Sequence, residues 1–242
     1  MSPLNQFMIS RMQGKLLDYG CGVGAAVRAA RATGRDVVGC DAFTTESAKS
    51  GLDNDLVFEM RNGIIPFKDN TFDGVYANQV FEHVADLEAT ICEIARVLKP
   101  GGKLLASFPV KECLYENHVH APLAALVDGE QRWRVLYAMR MLGFGRDEFK
   151  AMRPGETPKR FDKTRDWADY AQKHLEKYLF YRPRREIFKM LAPHFSITPI
   201  EHAYVRYRYP ALGFIERAPF SFFAQTALRA LRTDIIECTA RK

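Results

Sequence analysis

The sequence has few of the features that mark secreted, zinc-binding or membrane-spanning proteins. Its 242 residues include five scattered cysteines and no C-x-x-C pair, which argues against a disulfide framework and a cysteine zinc site. It has no run of about 18 apolar residues, so no membrane-spanning helix is expected. The first 14 residues lack the continuous apolar core of a secretory signal. We therefore expect a globular cytoplasmic protein without a metal site.

Positive charge is scarce in the first part of the chain and abundant in the second. Residues 1–110 carry a net charge of −2, whereas residues 111–242 carry +8. A basic surface attracts an anionic substrate or a membrane surface, although a merely solvated basic face explains the excess equally well. Because no recognisable nucleic-acid-binding module accompanies this charge, nucleic acid is not expected as a partner.

The most informative stretch is 15–41. It predicts a short strand, a turn with glycine at three alternate positions, an alanine-rich helix, and a second strand ending at Asp41. Glycine allows the turn to approach a ligand closely, and the helix that follows offers free N–H groups to an anion. An acid at the end of the second strand can accept both hydroxyl hydrogens of a ribose. This layout is typical of a nucleotide-type cofactor site.

Three motifs make the stretch more specific. The pattern D-x-G-x-G-x-G, from Asp18 to Gly24, resembles motif I of class I S-adenosylmethionine (SAM) methyltransferases. The sequences Ile65-Pro66-Phe67 and Phe72-Asp73-Gly74-Val75 resemble segments of the type 11 group, which includes ubiquinone-pathway enzymes. The run LKPGGKL at 98–104 resembles the turn that this group has before its fifth strand. The resemblance covers residues 15–108 almost continuously.

The resemblance implies SAM as the cofactor and places its contacts at the carboxyl ends of the strands. Asn62 lies near the position that holds the adenine amino group, where the family usually has Asp, and Arg61 is an alternative for that position. An Asn carbonyl oxygen can still accept from an amino group. The predicted cofactor residues are Asp18, Gly20, Cys21, Gly22, Gly24, Asp41, Ala42, Asn62, Gly63, Ile64, Asn78, Gln79 and His83.

The resemblance also implies the fold class, an α/β, Rossmann-like, doubly wound sheet. Seven mostly parallel strands are expected, with an antiparallel C-terminal strand and an inserted helical lid. We predict a SAM-binding core over 1–109, a substrate lid over 110–192, and the rest of the core over 193–242. Helical or strand patterns predict further elements, namely helices at 44–54, 131–142, 166–181, 184–191 and 219–231, and strands at 103–108, 195–207 and 234–240.

The predicted function is methyl transfer from SAM to a small molecule or glycan, on a hydroxyl oxygen. The acceptor is a lipid-linked or anionic sugar in this interpretation, and the alternative is C-, O- or N-methylation of a quinone-like or natural-product ring. A hydroxyl is a poor nucleophile until its proton leaves, so a base is useful. The candidates are His118, His120, His83 and Glu82, with His118 favoured. On a strand, His118 and His120 would share a face.

Two other classes remain open. An NAD(P)-dependent oxidoreductase would use Gly20, Gly22 and Ala25 in a loose dinucleotide fingerprint, but no Tyr-x-x-x-Lys pair is evident. A non-catalytic protein with the SAM-binding fold would have little reason to retain the glycine turn and Asp41. The apolar helix at 219–231 leaves a homodimer or a peripheral membrane contact open as well.

Overall fold

In the computed structural model, residues 1–42, 55–149, 158–211, 220–231 and 233–241 are described. They form one seven-stranded sheet with helices on both faces, and two short hairpins. The predicted fold class is confirmed. The helix predicted at 44–54 lies outside the described residues.

The main sheet contains β1 (Leu16–Tyr19), β2 (Val37–Asp41), β3 (Val57–Glu59), β4 (Phe72–Asn78), β5 (Leu98–Phe108), β10 (Phe195–Pro199) and β11 (Asp234–Ala240). The hairpins pair β6 (Tyr115–Glu116) with β7 (Ala121–Pro122), and β8 (Glu148–Phe149) with β9 (Lys159–Arg160). The helices are α1 (Pro3–Ser10), α2 (Ala25–Arg31), α3 (Leu87–Val97), α4 (Gly129–Met141), α5 (Thr164–Tyr178), α6 (Arg184–Leu191), α7 (Glu201–Arg208) and α8 (Phe220–Leu231), with a 3₁₀ turn at Phe81–His83.

The strand order β10-β11-β5-β4-β1-β2-β3 places β1 and β4 side by side near the middle of the sheet. The strands β1, β2, β3, β4 and β5 pair in parallel, whereas β11 is antiparallel to both of its neighbours, as predicted for the last strand. Parallel strands that leave from one edge bring the loops after them together. The glycine turn, Asp41 and the residues after β4 therefore meet at the carboxyl edge of the sheet.

Both faces of the sheet are covered. Alternate residues of β1 illustrate this, since Leu16 packs with α1 and α2 while Leu17 packs with α3. Side chains on a strand alternate between faces, so a strand that is buried on both sides is apolar at successive positions. This explains the continuous apolar run at the start of β1.

A separate hydrophobic cluster lies in the region predicted as the lid. Trp167 and Leu175 of α5 pack there with Leu136 of α4 and Phe149 of β8. Trp167 is fully buried and donates from its indole N–H to the carbonyl oxygen of Arg146 at 2.8 Å. This cluster is separate from the core of the sheet. In contrast, α6, at the end of the predicted lid, packs against the core of the sheet. The boundaries of the lid stay a prediction.

The prediction of one strand over 195–207 is wrong. The strand β10 ends at Pro199, which has no N–H to donate, and α7 follows from Glu201. Within α7, Tyr204 and Tyr207 are three residues apart, and both rings contact Phe7 of α1. Residues that are three apart lie on one face of a helix. This helical period, rather than the apparent alternation of a strand, determines the structure of the segment.

The strand predicted from Lys103 begins earlier, at Leu98. The pairing register between β4 and β5 shifts between Phe72 and Gly74, so the segment around Gly101 bulges out of the ladder. No helix in the described part of the chain has the length and apolar character needed to cross a bilayer.

Candidate cofactor and acceptor site

The glycine turn after β1 has backbone conformations that favour glycine. Gly20, Gly22 and Gly24 have φ of 77°, 54° and 76°, in the left-handed region. A Cβ on Gly20 would lie 2.5 Å from a methyl group of Val80, and one on Gly24 would lie 2.4 Å from a methyl group of Val57. A Cβ on Gly22 would meet no atom of the described residues within 4 Å. Gly20 and Gly24 therefore allow Val80 and Val57 to pack closely against the turn, whereas Gly22 is exposed on its open side.

Asp41 at the end of β2 faces this turn. Its Oδ2 accepts a hydrogen bond from the backbone N–H of Gly22 at 2.7 Å. Burial raises the pKa of Asp41, while the N–H groups of Gly22 and Ala42 and the nearby His83 act in the opposite direction. The carboxylate is thus held at the carboxyl edge, where a ribose could replace the Gly22 contact.

Asp18, which begins the glycine motif, is almost completely buried. Burial raises its pKa to about 7; the hydroxyl of Tyr76 opposes this shift and Asp41 adds to it. The side chain points into the interior rather than toward the open side of Gly22. Cys21 lies within the glycine turn, and a Cβ on Gly39 would lie 2.5 Å from its Sγ, so its thiol packs on β2.

The predicted adenine-side residues form a tight turn after β3. Arg61 and Ile64 form an isolated antiparallel bridge, and Asn62 and Gly63 between them have φ of 52° and 75°. Asn-Gly with positive φ at both central positions is typical of a type I′ turn. Asn62, Gly63 and Ile64 are exposed, and a surface groove of about 350 Å³ lies beside them, lined by Glu59, Arg61, Ile64 and Pro66.

Asn78 and Gln79, predicted to face the cofactor, hold other parts of the chain. Asn78 donates from Nδ2 to the side-chain oxygen of Asn5 at 2.6 Å. Gln79 has a φ of 58° and donates to the hydroxyls of Ser107 and Thr233 at 2.9 and 3.1 Å. These bonds fix the bend after β4, and the bend directs the next residues toward the glycine turn.

A polar cluster follows this bend. Glu82 and His83 of the 3₁₀ turn meet His118 of the β6–β7 hairpin, and a carboxylate oxygen and one ring nitrogen of each histidine lie within 4.8 Å of one another. His83 is partly open to solvent, and its Nδ1 lies 2.9 Å from the carbonyl oxygen of Tyr178. A carbonyl only accepts, so this contact assigns the proton to Nδ1 and leaves the lone pair on Nε2.

His118 is oriented by a buried acid that the sequence prediction missed. Its Nδ1 lies 2.8 Å from Oε1 of Glu116, and the Tyr181 hydroxyl donates to the same oxygen at 2.6 Å. Burial alone would raise the pKa of Glu116, but these contacts and the N–H of Val119 bring it below its usual range. The E-x-H spacing of Glu116 and His118 was the signal in the sequence that could have identified Glu116. Tyr181 gave no such signal, because it lies far along the chain, on the other side of the predicted lid.

Glu82 is the least satisfied member of the cluster. Its side chain is 2% exposed, and neither carboxylate oxygen has a hydrogen-bond partner among the described residues. Burial raises its pKa to about 7; the nearby His118 acts to lower this pKa, and Glu116 acts to raise it. A buried carboxylate without a partner is costly, so such a group needs an explanation.

His120 does not join this cluster. It lies in the turn between β6 and β7, with φ of 59°, and its exposed ring is 6.3 Å from that of Tyr115. The expectation that His118 and His120 share a strand face is wrong, because a turn separates the directions of their side chains. Of the four candidate bases, the structure brings Glu82, His83 and His118 together.

Comparison with known proteins confirms the resemblance. The model of the family described as Methyltransferase domain matches residues 17–106, which include the glycine turn, Asp41 and the bend after β4. A sterol 24-C-methyltransferase of Gibberella zeae is 40% identical over 97 residues, which are 36% of this chain and 26% of the relative. A demethylmenaquinone methyltransferase of Tropheryma whipplei is 33% identical over 95 residues, 38% of this chain and 40% of the relative.

The chain thus spans less than half the length of these curated relatives. A solved S-adenosylmethionine-dependent methyltransferase of Mesorhizobium loti has the same fold, with a TM-score of 0.55, 15% identity, and coverage of 98% of this chain and 96% of that chain. Residues 17–106 therefore resemble a methyltransferase domain, and they lie within a Rossmann-like sheet. The family match supports the predicted cofactor, SAM, and a methyltransferase activity.

Proposed function

We propose that the protein transfers a methyl group from SAM to a small-molecule acceptor at the carboxyl edge of its sheet. The observation that carries this proposal is that the exposed Gly22 turn and Asp41 lie beside the Glu82–His83–His118 cluster. Asp41 and His83 are close enough for the histidine to shift the pKa of the carboxyl. The site therefore combines a cofactor surface with a group of proton acceptors.

Asp41 would bind the ribose hydroxyls, and the Gly22 turn would lie against the rest of the cofactor. Methyl transfer is a displacement at a sulfonium methyl, so holding donor and acceptor in line is the main task of the protein. The partly open His83 gives an acceptor access to the cluster from solvent. No residue needs to form a covalent intermediate for this reaction.

Transfer to a hydroxyl oxygen is our preferred reaction. Glu116 holds His118 by Nδ1, which leaves Nε2 as the nitrogen able to take a proton. A carboxylate that orients a histidine in this way is the arrangement used in acid–base catalysis. The acceptor in this proposal is a small molecule with an ionisable hydroxyl, and a sugar acceptor stays a prediction.

Carbon methylation is the second candidate, because the name of one relative specifies it. One relative is a sterol 24-C-methyltransferase and the other acts on demethylmenaquinone. A quinol-type acceptor also benefits from losing a hydroxyl proton, so the same cluster would serve. A cytoplasmic location, a homodimer and a peripheral membrane contact stay predictions.

The test is transfer of an isotopically labelled methyl group from SAM to a panel of phenols, quinols, sterols and sugars, with the product located by NMR. Label on a hydroxyl oxygen is the expected result, and label on a ring carbon would select the second candidate. Asp41→Ala should abolish transfer at low SAM concentration. Adenosyl ligands that bind without any transfer would instead indicate a non-catalytic binding protein.

A further inference from the structure

We infer that Glu82, His83 and His118 form a binding site for a divalent first-row transition-metal ion. The inference departs from the expectation of a chain without a metal site. Two imidazoles and one carboxylate form a recognised donor set for Zn²⁺ and Fe²⁺, and three protein ligands leave a coordination position open. These three are the only such group of donors among the described residues.

The unpartnered carboxylate of Glu82 is the first independent observation. The residue is buried, and both of its oxygens are without a hydrogen-bond partner in the described part of the chain. Its carboxylate lies within 4.8 Å of a nitrogen of both histidines. A bound cation would supply the partner that this buried group lacks.

The contacts behind the two histidines are the second observation. Histidine ligands of metal ions almost always donate their other ring N–H to a carboxylate or a backbone carbonyl. Here Nδ1 of His83 contacts the carbonyl oxygen of Tyr178 at 2.9 Å, and Nδ1 of His118 contacts the carboxylate of Glu116 at 2.8 Å. Both contacts fix the ring and leave Nε2 as the nitrogen for an ion.

The positions need only a modest adjustment. An ion held at about 2.0–2.2 Å from each donor brings the donors to roughly 3.5 Å from one another, so the present separations of up to 4.8 Å must contract by up to about 1.3 Å. His83 and the hairpin that carries His118 lie on different elements, and the partly open His83 ring provides access for the ion.

A metal ion here would also refine the proposed function, on which this one step rests. The open coordination position would take the hydroxyl oxygen of the acceptor. Coordination would make such a hydroxyl more acidic, so its proton would leave to water rather than to Nε2 of His118, which would hold the ion. The oxygen would then take the methyl group as the S–CH₃ bond of SAM breaks and S-adenosylhomocysteine leaves. The acceptor class would then be a small molecule that offers a hydroxyl as a metal ligand.

The test is titration of metal-free purified protein with Zn²⁺, followed by calorimetry, and with Co²⁺, followed by visible absorption. We expect one ion per chain, with no comparable binding of Mg²⁺ because imidazole donors do not suit it. Glu82→Gln and His118→Gln should each weaken Zn²⁺ binding at least tenfold. Glu116→Gln, which acts through His118, should weaken it about 10–100-fold.

The matched control is His120→Gln, a histidine in the same hairpin but outside the cluster, which should bind Zn²⁺ like the wild type. Glu82→Gln keeps the shape of a buried side chain and removes its charge, so circular dichroism should show a folded protein. Absence of stoichiometric Zn²⁺ binding, or equal binding by Glu82→Gln, overturns the inference. Binding of S-adenosylhomocysteine by the same samples separates this failure from failure of the proposed function.

Discussion

The glycine turn offers a prediction with a built-in control. Gly20 and Gly22 are two residues apart and both have a left-handed backbone, so alanine at either position costs about 1–2 kcal/mol in backbone strain. Only Gly20 has a neighbour in the way, because its Cβ would lie 2.5 Å from a methyl of Val80. Val80 is β-branched and has little freedom to rotate away.

Crowding of this kind typically costs a further 1–3 kcal/mol or so. We therefore expect Gly20→Ala to lower the free energy of unfolding by about 2–5 kcal/mol, and Gly22→Ala by only about 1–2 kcal/mol. Urea denaturation followed by circular dichroism measures both values. A larger loss for Gly22→Ala than for Gly20→Ala would refute the packing argument.

The same pair separates stability from cofactor binding. The alanine methyl of Gly22→Ala would occupy the open side of the turn, so this variant should bind S-adenosylhomocysteine at least tenfold more weakly while it stays folded. Calorimetric titration measures the affinity. If Gly22→Ala binds as tightly as the wild type, the open side of the turn is not the cofactor surface.

Three further predictions concern stability. Because the pKa of Asp18 is raised to about 7, the folded protein holds a proton that the unfolded chain releases, and stability should fall by up to about 4 kcal/mol as pH rises from about 4 to 7. Asp18→Asn should make this slope shallower in urea denaturation measured across that range, and the part that remains comes from Glu82, whose pKa is raised in the same way. Trp167→Ala should cost about 3–5 kcal/mol by the same assay, because the ring is fully buried. Arg229→Ala should cost about 3–5 kcal/mol, since it leaves the buried Glu201 carboxylate without its cation, whereas the double change Arg229→Ala with Glu201→Gln should recover part of the loss.

Local patterns predicted the part of the fold that depends on neighbouring residues. The glycine motif, the acid at Asp41 and the LKPGGKL turn lie within single βαβ units, where spacing along the chain determines the geometry. The strand predicted over 195–207 failed because the tyrosines of α7 can follow either period, and only the contact of Tyr204 with Phe7 decides between them. That contact joins residues almost 200 positions apart.

The geometry of the glycine turn and Asp41 could be predicted for the same reason, and that of the polar cluster only in part. His118 could be named as a candidate because histidine is an obvious base, but Glu116 and Tyr181 become its neighbours only when the hairpin and the return from α5 meet. The carboxylate of Glu82 has no hydrogen-bond partner among the described residues because residues far along the chain bury it. No pattern within the sequence reports such an environment.

The most direct test of the cofactor site is calorimetric titration of the wild type, Asp41→Ala and Asp36→Ala with S-adenosylhomocysteine. Asp36 comes directly before the same strand, at its opposite end, and pairs on the surface with Arg31. Its loss therefore controls for a general effect of removing an acid from one end of β2. We expect tight 1:1 binding by the wild type and Asp36→Ala, and at least tenfold weaker binding by Asp41→Ala. Equal affinity of all three proteins, or no binding by the wild type, would contradict a SAM site at the carboxyl edge of the sheet.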